Sequence, residues 1–348
     1  MIKEYKISEI KNIKLNGRST DCLEPYTLFW TGSGFEVNVK GRELWVEIEA
    51  DYEEQEPWFT VLINGAPVLR QMAPKGSNKI CLFRSRNPEE IKNVRFIKDS
   101  QAMHDDEKCM LSIHSLITDG VFCSIDERKL KIEFIGDSIT SGEGIFGDTK
   151  EEDWVSMFFS GVYSYAALTA EKFKADYRII SQSGWGVLSS WDGNTANAIP
   201  KYYEKVCGLL TGDRNKKLGA TDDYDFKKWQ PDVVVVNLGT NDCNAFEMPE
   251  FTYTIEDFEN EVIMFLKKIR KYNPKADIIW GYGMLGYKMT ASITRAVNAY
   301  TLETGDKKVH FINLPNTREG MFGSRQHPGL KSHKQAAEVL SDYIMGMI

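Results

Sequence analysis

Four short segments of the 348-residue chain carry side chains suited to acyl transfer. Gly136-Asp137-Ser138-Ile139-Thr140 offers a hydroxyl, and Ser183-Gly184-Trp185-Gly186 offers a glycine backbone. Gly239-Thr240-Asn241-Asp242 offers a carboxamide, and His327-Pro328-Gly329 an imidazole. A serine hydroxyl is a weak nucleophile until a base lies within hydrogen-bond reach. His327 suits that task, because an ordinary imidazole titrates near neutral pH. Attack on an acyl carbon also creates an oxyanion, which needs donors already in place. The backbone N–H groups of Ser138 and Gly184 and the side chain of Asn241 can supply three. An amide suits this role because it donates without titrating. Each segment taken alone has a plainer explanation: a turn closed by Asp137, a helix cap at Asn241-Asp242, a packed or surface histidine. Their joint occurrence carries the functional reading.

The elements that position these segments are legible. From about residue 128 strands alternate with helices. Leu130–Ile135 is a short apolar run that ends at Gly136, and Tyr177–Ile180 is another strand. Asp232 introduces Val233-Val-Val-Val-Asn-Leu238, a β-branched run of the kind covered on both faces in a parallel sheet. Ile278–Trp280 and Val309–Leu314 complete five strands. Helices are expected over Val162–Lys174, over residues 255–269 and over Gln335–Met345; Asn273-Pro274 stops the second. Such alternation implies a doubly wound sheet, whose active site lies at the carboxyl ends of its strands. The first three chemical segments directly follow strands. The fourth falls between the last strand and the last helix.

The first third reads as β. Phe35, Val37 and Val39 alternate with polar residues, as do Leu44, Val46 and Ile48. Phe59, Val61 and Ile63 lead into Asn64-Gly65, a strong hairpin signal. The boundary is expected between an N-terminal β-sandwich, residues 1–127, and a catalytic domain, residues 128–348.

Composition narrows the partners. Charged residues make up 27% and the net charge is −7, the opposite sign to that of a general nucleic-acid binder. No run of about 20 apolar residues is present, so no membrane-spanning helix is expected. The first ten residues lack the apolar core of a secretion signal, and a cytoplasmic location is expected. The six cysteines have neither C-x-x-C nor zinc-finger spacing; free and mostly buried thiols are expected, and no metal site. Gly142-Glu-Gly144-Ile-Phe-Gly147 matches G-x-G-x-x-G literally. It does not follow the strand directly, so no nucleotide cofactor is expected. His104-Asp-Asp-Glu107 reads as a solvated loop, and His333 as part of the last helix.

Gly136-Asp-Ser138, Gly184, Gly239-Thr-Asn241-Asp242 and His327-Pro328 resemble, in order, the four blocks of SGNH (GDSL-type) hydrolases. The whole chain is similar to carbohydrate esterase family 2. Supporting features are Gly17-Arg18, the strand-rich first domain, Gly142-Glu-Gly144 after Ser138-Ile-Thr140, and Ser183-Gly184-x-Gly186. The resemblance implies a flavodoxin-like three-layer α/β/α domain with a five-stranded parallel sheet, preceded by an all-β jelly-roll. It implies serine-based removal of acetyl groups from hemicellulose, with no cofactor. Carried over, Ser138 is the nucleophile, Gly184 and Asn241 are oxyanion residues, and His327 is the base. Many such enzymes place an aspartate two or three residues before the histidine; here those positions hold Arg325 and Ser324. The expectation is therefore a Ser–His dyad whose ring is held by a backbone carbonyl, with Glu319 as a remote alternative. Loss of the acid from a triad built around one can cost about 10⁴ in rate, but a site formed without it need not suffer that loss.

Sugar sites stack aromatic rings on the apolar faces of pyranoses, so Trp185 and Trp191 are expected at the substrate, against the alternative of core packing. The expected substrate is an acetylated oligosaccharide derived from xylan or mannan. Other readings are a lipase or thioesterase for longer acyl chains, and a non-catalytic carbohydrate binder.

Overall fold

The structure, a computed structural model, describes all 348 residues, Met1–Ile348. Two compact units divide the chain.

In the first unit, alternation buries one face of each strand. Phe35, Val37 and Val39 of the strand Gly34–Lys40 are fully buried, as are Leu44, Val46 and Ile48 of Glu43–Asp51. Burying one such side chain contributes about 1.5–3 kcal/mol. The two strands belong to different antiparallel sheets, whose inner faces form one core, so the unit is a β-sandwich. The hairpin at Asn64-Gly65 joins Trp58–Ile63 to Ala66–Met72 and pairs Ile63 with Ala66. Both turn residues have positive φ, 50° and 82°, as a two-residue turn that follows strand twist requires.

The first unit comprises Met1–Glu127 together with Glu204–Tyr224, a segment that the sequence reading placed in the catalytic domain. Val206, Leu209 and Leu210 are buried, Trp30 Nε1 donates to Val206 O at 2.7 Å, and Arg214 pairs with Glu49 at 2.6 Å. The segment has little regular structure, so no periodicity advertised where it belongs. Asp106, expected in a solvated loop, is buried and accepts from the backbone N–H groups of Glu53, Glu54, Gln55 and Lys108. All six cysteines are free, but only Cys109 and Cys207 are buried, fewer than expected.

The second unit contains five parallel strands, numbered within it: β1 (Lys131–Gly136), β2 (Asp176–Ser181), β3 (Val233–Asn237), β4 (Asp277–Gly283) and β5 (Val309–Leu314). Their spatial order is β2-β1-β3-β4-β5, the flavodoxin-like order. The helices are α1 (Ser138–Ser141), α2 (Tyr165–Lys172), α3 (Thr240–Ala245), α4 (Ile255–Tyr272), α5 (Thr290–Thr304) and α6 (Leu330–Met345). Helices α2 and α6 cover the sheet face that bears Phe134, Val235 and Ile279. Successive strand residues point to opposite faces, so Trp280 points the other way, where Phe265 of α4 meets it edge-on at 6.5 Å.

Helix α4 opens with a capping box between Thr254 and Asp257 and ends at Asn273, before Pro274. Helix α2 starts later than Val162 because Ser164 caps it, its Oγ accepting from Ala167 N–H. Helix α5 was not anticipated. Its apolar residues, Ile293, Ala296, Val297 and Tyr300, keep helical spacing among threonines that weaken the signal.

Candidate active site

Strand β1 delivers Ser138 through a turn that only glycine permits. A Cβ on Gly136 would lie 2.0 Å from Thr140 Oγ1 and 2.9 Å from Asn237 O. Asp137 caps the short α1, its Oδ1 accepting from Ile139 N–H at 3.0 Å. Ser138 is thereby held at the carboxyl edge of the sheet, where β1 and β3 are neighbours and the strand order switches.

His327 reaches the serine from the segment between β5 and α6. Its Nε2 lies 3.0 Å from Ser138 Oγ, and its Nδ1 lies 2.9 Å from Arg325 O. A carbonyl only accepts, so Nδ1 carries the proton and Nε2 is left to accept from the serine hydroxyl. Arg325 and Gln326 both adopt left-handed backbone, φ 52° and 54°. Such residues cost on the order of 1–3 kcal/mol each unless their surroundings enforce the conformation. Here Arg325 N–H donates to Glu151 O at 2.7 Å, and Gly323 N–H donates to His327 O at 2.8 Å. Neither residue type announces a left-handed turn, so the sequence carried no signal for it. Glu319 is exposed, and the group at Nδ1 is the Arg325 carbonyl.

Gly184, after β2, has φ +80°, and a Cβ there would touch Trp191 Cδ1 at 3.0 Å. Trp191 N–H donates to Gly184 O at 2.8 Å, which closes the loop. Trp191 is 58% exposed, and its ring sits against Gly184. Trp185 lies differently. It is 3% exposed and packs on Tyr202 with centroids 5.1 Å apart, so its ring belongs to the packed interior and presents no open face to a sugar. Its backbone carbonyl has a separate task.

That carbonyl accepts from Asn241 Nδ2 at 3.1 Å, while Asp137 Oδ2 lies 3.3 Å from the same nitrogen. These contacts fix the plane of the Asn241 amide beside the turn that carries Ser138. Burial pushes the Asp137 carboxyl up to about 7.

Asp242 holds the loop after Gly184 in place, a structural role that no sequence pattern announces. Its buried carboxylate accepts from the N–H groups of Val187, Leu188 and Ser189 at 2.8–3.1 Å. Burial pushes it up to about 6, against the pull of these donors. Gly186 makes room for it, since a Cβ there would lie 2.2 Å from Asp242 Oδ2. The carboxylate thus clamps the loop that begins at Gly184. Asp242→Ala leaves three buried N–H groups without an acceptor, at about 1–3 kcal/mol each. The expected result is a loss of at least about 3 kcal/mol in urea unfolding. A loss below about 1 kcal/mol would show that the loop holds itself.

The model of the GDSL-like lipase/acylhydrolase family matches residues 134–335. The cellulase/esterase CelE of Acetivibrio thermocellus is 27% identical over 321 residues, covering 90% of this chain and 36% of that protein. This chain thus spans little more than a third of that relative's length. An acetylxylan esterase / glucomannan deacetylase of Cellvibrio japonicus is 24% identical over 88% of this chain and 76% of its own length. Among solved structures, the acetyl xylan esterase Est2A from the rumen bacterium Butyrivibrio proteoclasticus is 42% identical, with a TM-score of 0.97 over 100% of this chain and 98% of that one. A family two carbohydrate esterase from Clostridium thermocellum, in complex with cellohexaose, is 26% identical, with a TM-score of 0.83 over 96% and 98%.

Proposed function

The chain belongs to the GDSL-like lipase/acylhydrolase family and is by that membership a serine carboxylic-ester hydrolase, and from this premise we propose that it removes acetyl groups from hemicellulose-derived oligosaccharides through a Ser138–His327 dyad. The observation that carries the reading is the chain of contacts from Arg325 O to His327 Nδ1 and from Nε2 to Ser138 Oγ, 2.9 and 3.0 Å long. The names of the relatives support acetylated xylan or glucomannan fragments as the substrate class.

In this mechanism Ser138 Oγ attacks the acetyl carbon as His327 Nε2 takes its proton. The carbonyl oxygen becomes an oxyanion before the N–H groups of Ser138 and Gly184 and the amide of Asn241. As the ester bond breaks, the imidazolium returns the proton to the departing sugar oxygen. His327 then activates water, which releases acetate from Ser138 and restores the hydroxyl. Trp191, exposed beside Gly184, offers a flat apolar face to a sugar ring.

The test is acetate release from acetylated xylo- and manno-oligosaccharides, followed by mass spectrometry, beside nitrophenyl acetate, butyrate and octanoate. The reading expects acetate loss from at least one glycan and a rate that falls as the acyl chain lengthens. Preference for octanoate with no glycan deacetylated would replace it with a lipase or thioesterase.

A further inference from the structure

His327 has a charged neighbour that the dyad does not use. Glu143 lies just past α1, its side chain 4% exposed, with Oε2 3.7 Å from His327 Nε2 and Oε1 3.1 Å from Arg325 Nε. Its backbone N–H donates to Ser138 O at 3.0 Å, so the nucleophile and this carboxylate share one turn. Gly144 follows at φ +77°, where a Cβ would lie 2.9 Å from His327 Cβ and 2.6 Å from Ser324 O. The backbone that follows Glu143 is therefore pressed against the histidine segment.

In a Ser–His–acid triad one carboxylate both orients the imidazole and stabilises the imidazolium. Here the orienting acceptor is the Arg325 carbonyl, which carries no net charge. We infer that the two tasks are divided: Arg325 O sets the tautomer, and Glu143 is a positioning residue that supplies the negative charge opposite the imidazolium while its other oxygen holds Arg325 in its left-handed turn. A charge 3.7 Å away in a largely buried site acts through a medium far less screening than water. The Arg325 guanidinium is 38% exposed and bound to the far oxygen, so it offsets only part of that charge. At 3.7 Å the contact exceeds a hydrogen bond, so the proton on Nε2 remains available to Ser138 Oγ and the departing oxygen. The sequence shows the carboxylate in Gly142-Glu-Gly144, but nothing there reveals that it meets a histidine 184 residues on.

The inference rests on His327 being the base, and its test separates the two. Glu143→Gln keeps the size of the side chain and an acceptor for Arg325 Nε, and removes only the charge. Turnover of nitrophenyl acetate should fall in kcat by about 10–100-fold, with KM within about twofold of the parent, as expected for an interaction made in the transition state. Glu143→Asp restores the charge and should recover most of that loss. Equal impairment of the two variants, or a Glu143→Gln enzyme at parental kcat, would overturn the inference. Should Glu143→Gln fail to fold, Glu143→Ala takes its place: a loss of at least about tenfold in kcat that Glu143→Asp largely restores supports the assignment, and a smaller loss or equal impairment of the two variants overturns it. His327→Ala, assayed alongside, reports on the dyad; an active His327→Ala enzyme would sink that reading instead.

Discussion

Replacing Ser138 with alanine should lower kcat for ester hydrolysis by on the order of 10⁴–10⁶, because the proposed acyl-enzyme route needs that hydroxyl. The hydroxyl meets His327 Nε2 at 3.0 Å, so the fold has little reason to suffer. The informative comparison is with His327→Ala and the double variant. Members of one catalytic unit are grossly non-additive. The double variant should therefore be no slower than the worse single one, with unchanged unfolding midpoints. Acetate release by a folded Ser138→Ala protein at more than about a tenth of the parental rate would remove the serine from the chemistry.

Asn241→Ala should lower kcat by about 10²–10³, the usual loss when one oxyanion donor goes. Its amide nitrogen donates to Trp185 O at 3.1 Å, and its second hydrogen faces Asp137 Oδ2 at 3.3 Å. To serve an oxyanion, that second hydrogen must leave the longer contact for a stronger acceptor. Turnover should fall with KM little altered. Parental turnover in a folded variant would leave the backbone donors as the whole oxyanion site.

Much of this was legible in the sequence where chemistry and periodicity agree. The run Val233–Leu238, followed by Gly239-Thr-Asn241-Asp242, announced both a buried strand and the segment at its carboxyl end. Asn64-Gly65 announced its hairpin through the positive φ of both residues. What stayed hidden depended on tertiary contact. Trp185 is an aromatic in the right place, but its burial against Tyr202 turns it into scaffold and leaves Trp191 as the exposed ring. Asp242 looked like a helix cap, and only the fold brings three N–H groups of another loop to it. The left-handed backbone at Arg325 and Gln326 is enforced by Glu151 and Glu143, residues remote in sequence. Glu204–Tyr224 joins the β-sandwich unit without any periodic signature.

The central claim is that one serine carries the acyl group between two half-reactions. Its most direct test is to mix the enzyme briefly with nitrophenyl acetate, quench in acid, digest, and measure peptide masses. One acetyl increment is expected on the peptide bearing Ser138, absent from the Ser138→Ala protein. Burst release of nitrophenol with the acetyl group on another residue, or hydrolysis that continues undiminished without Ser138, would contradict it.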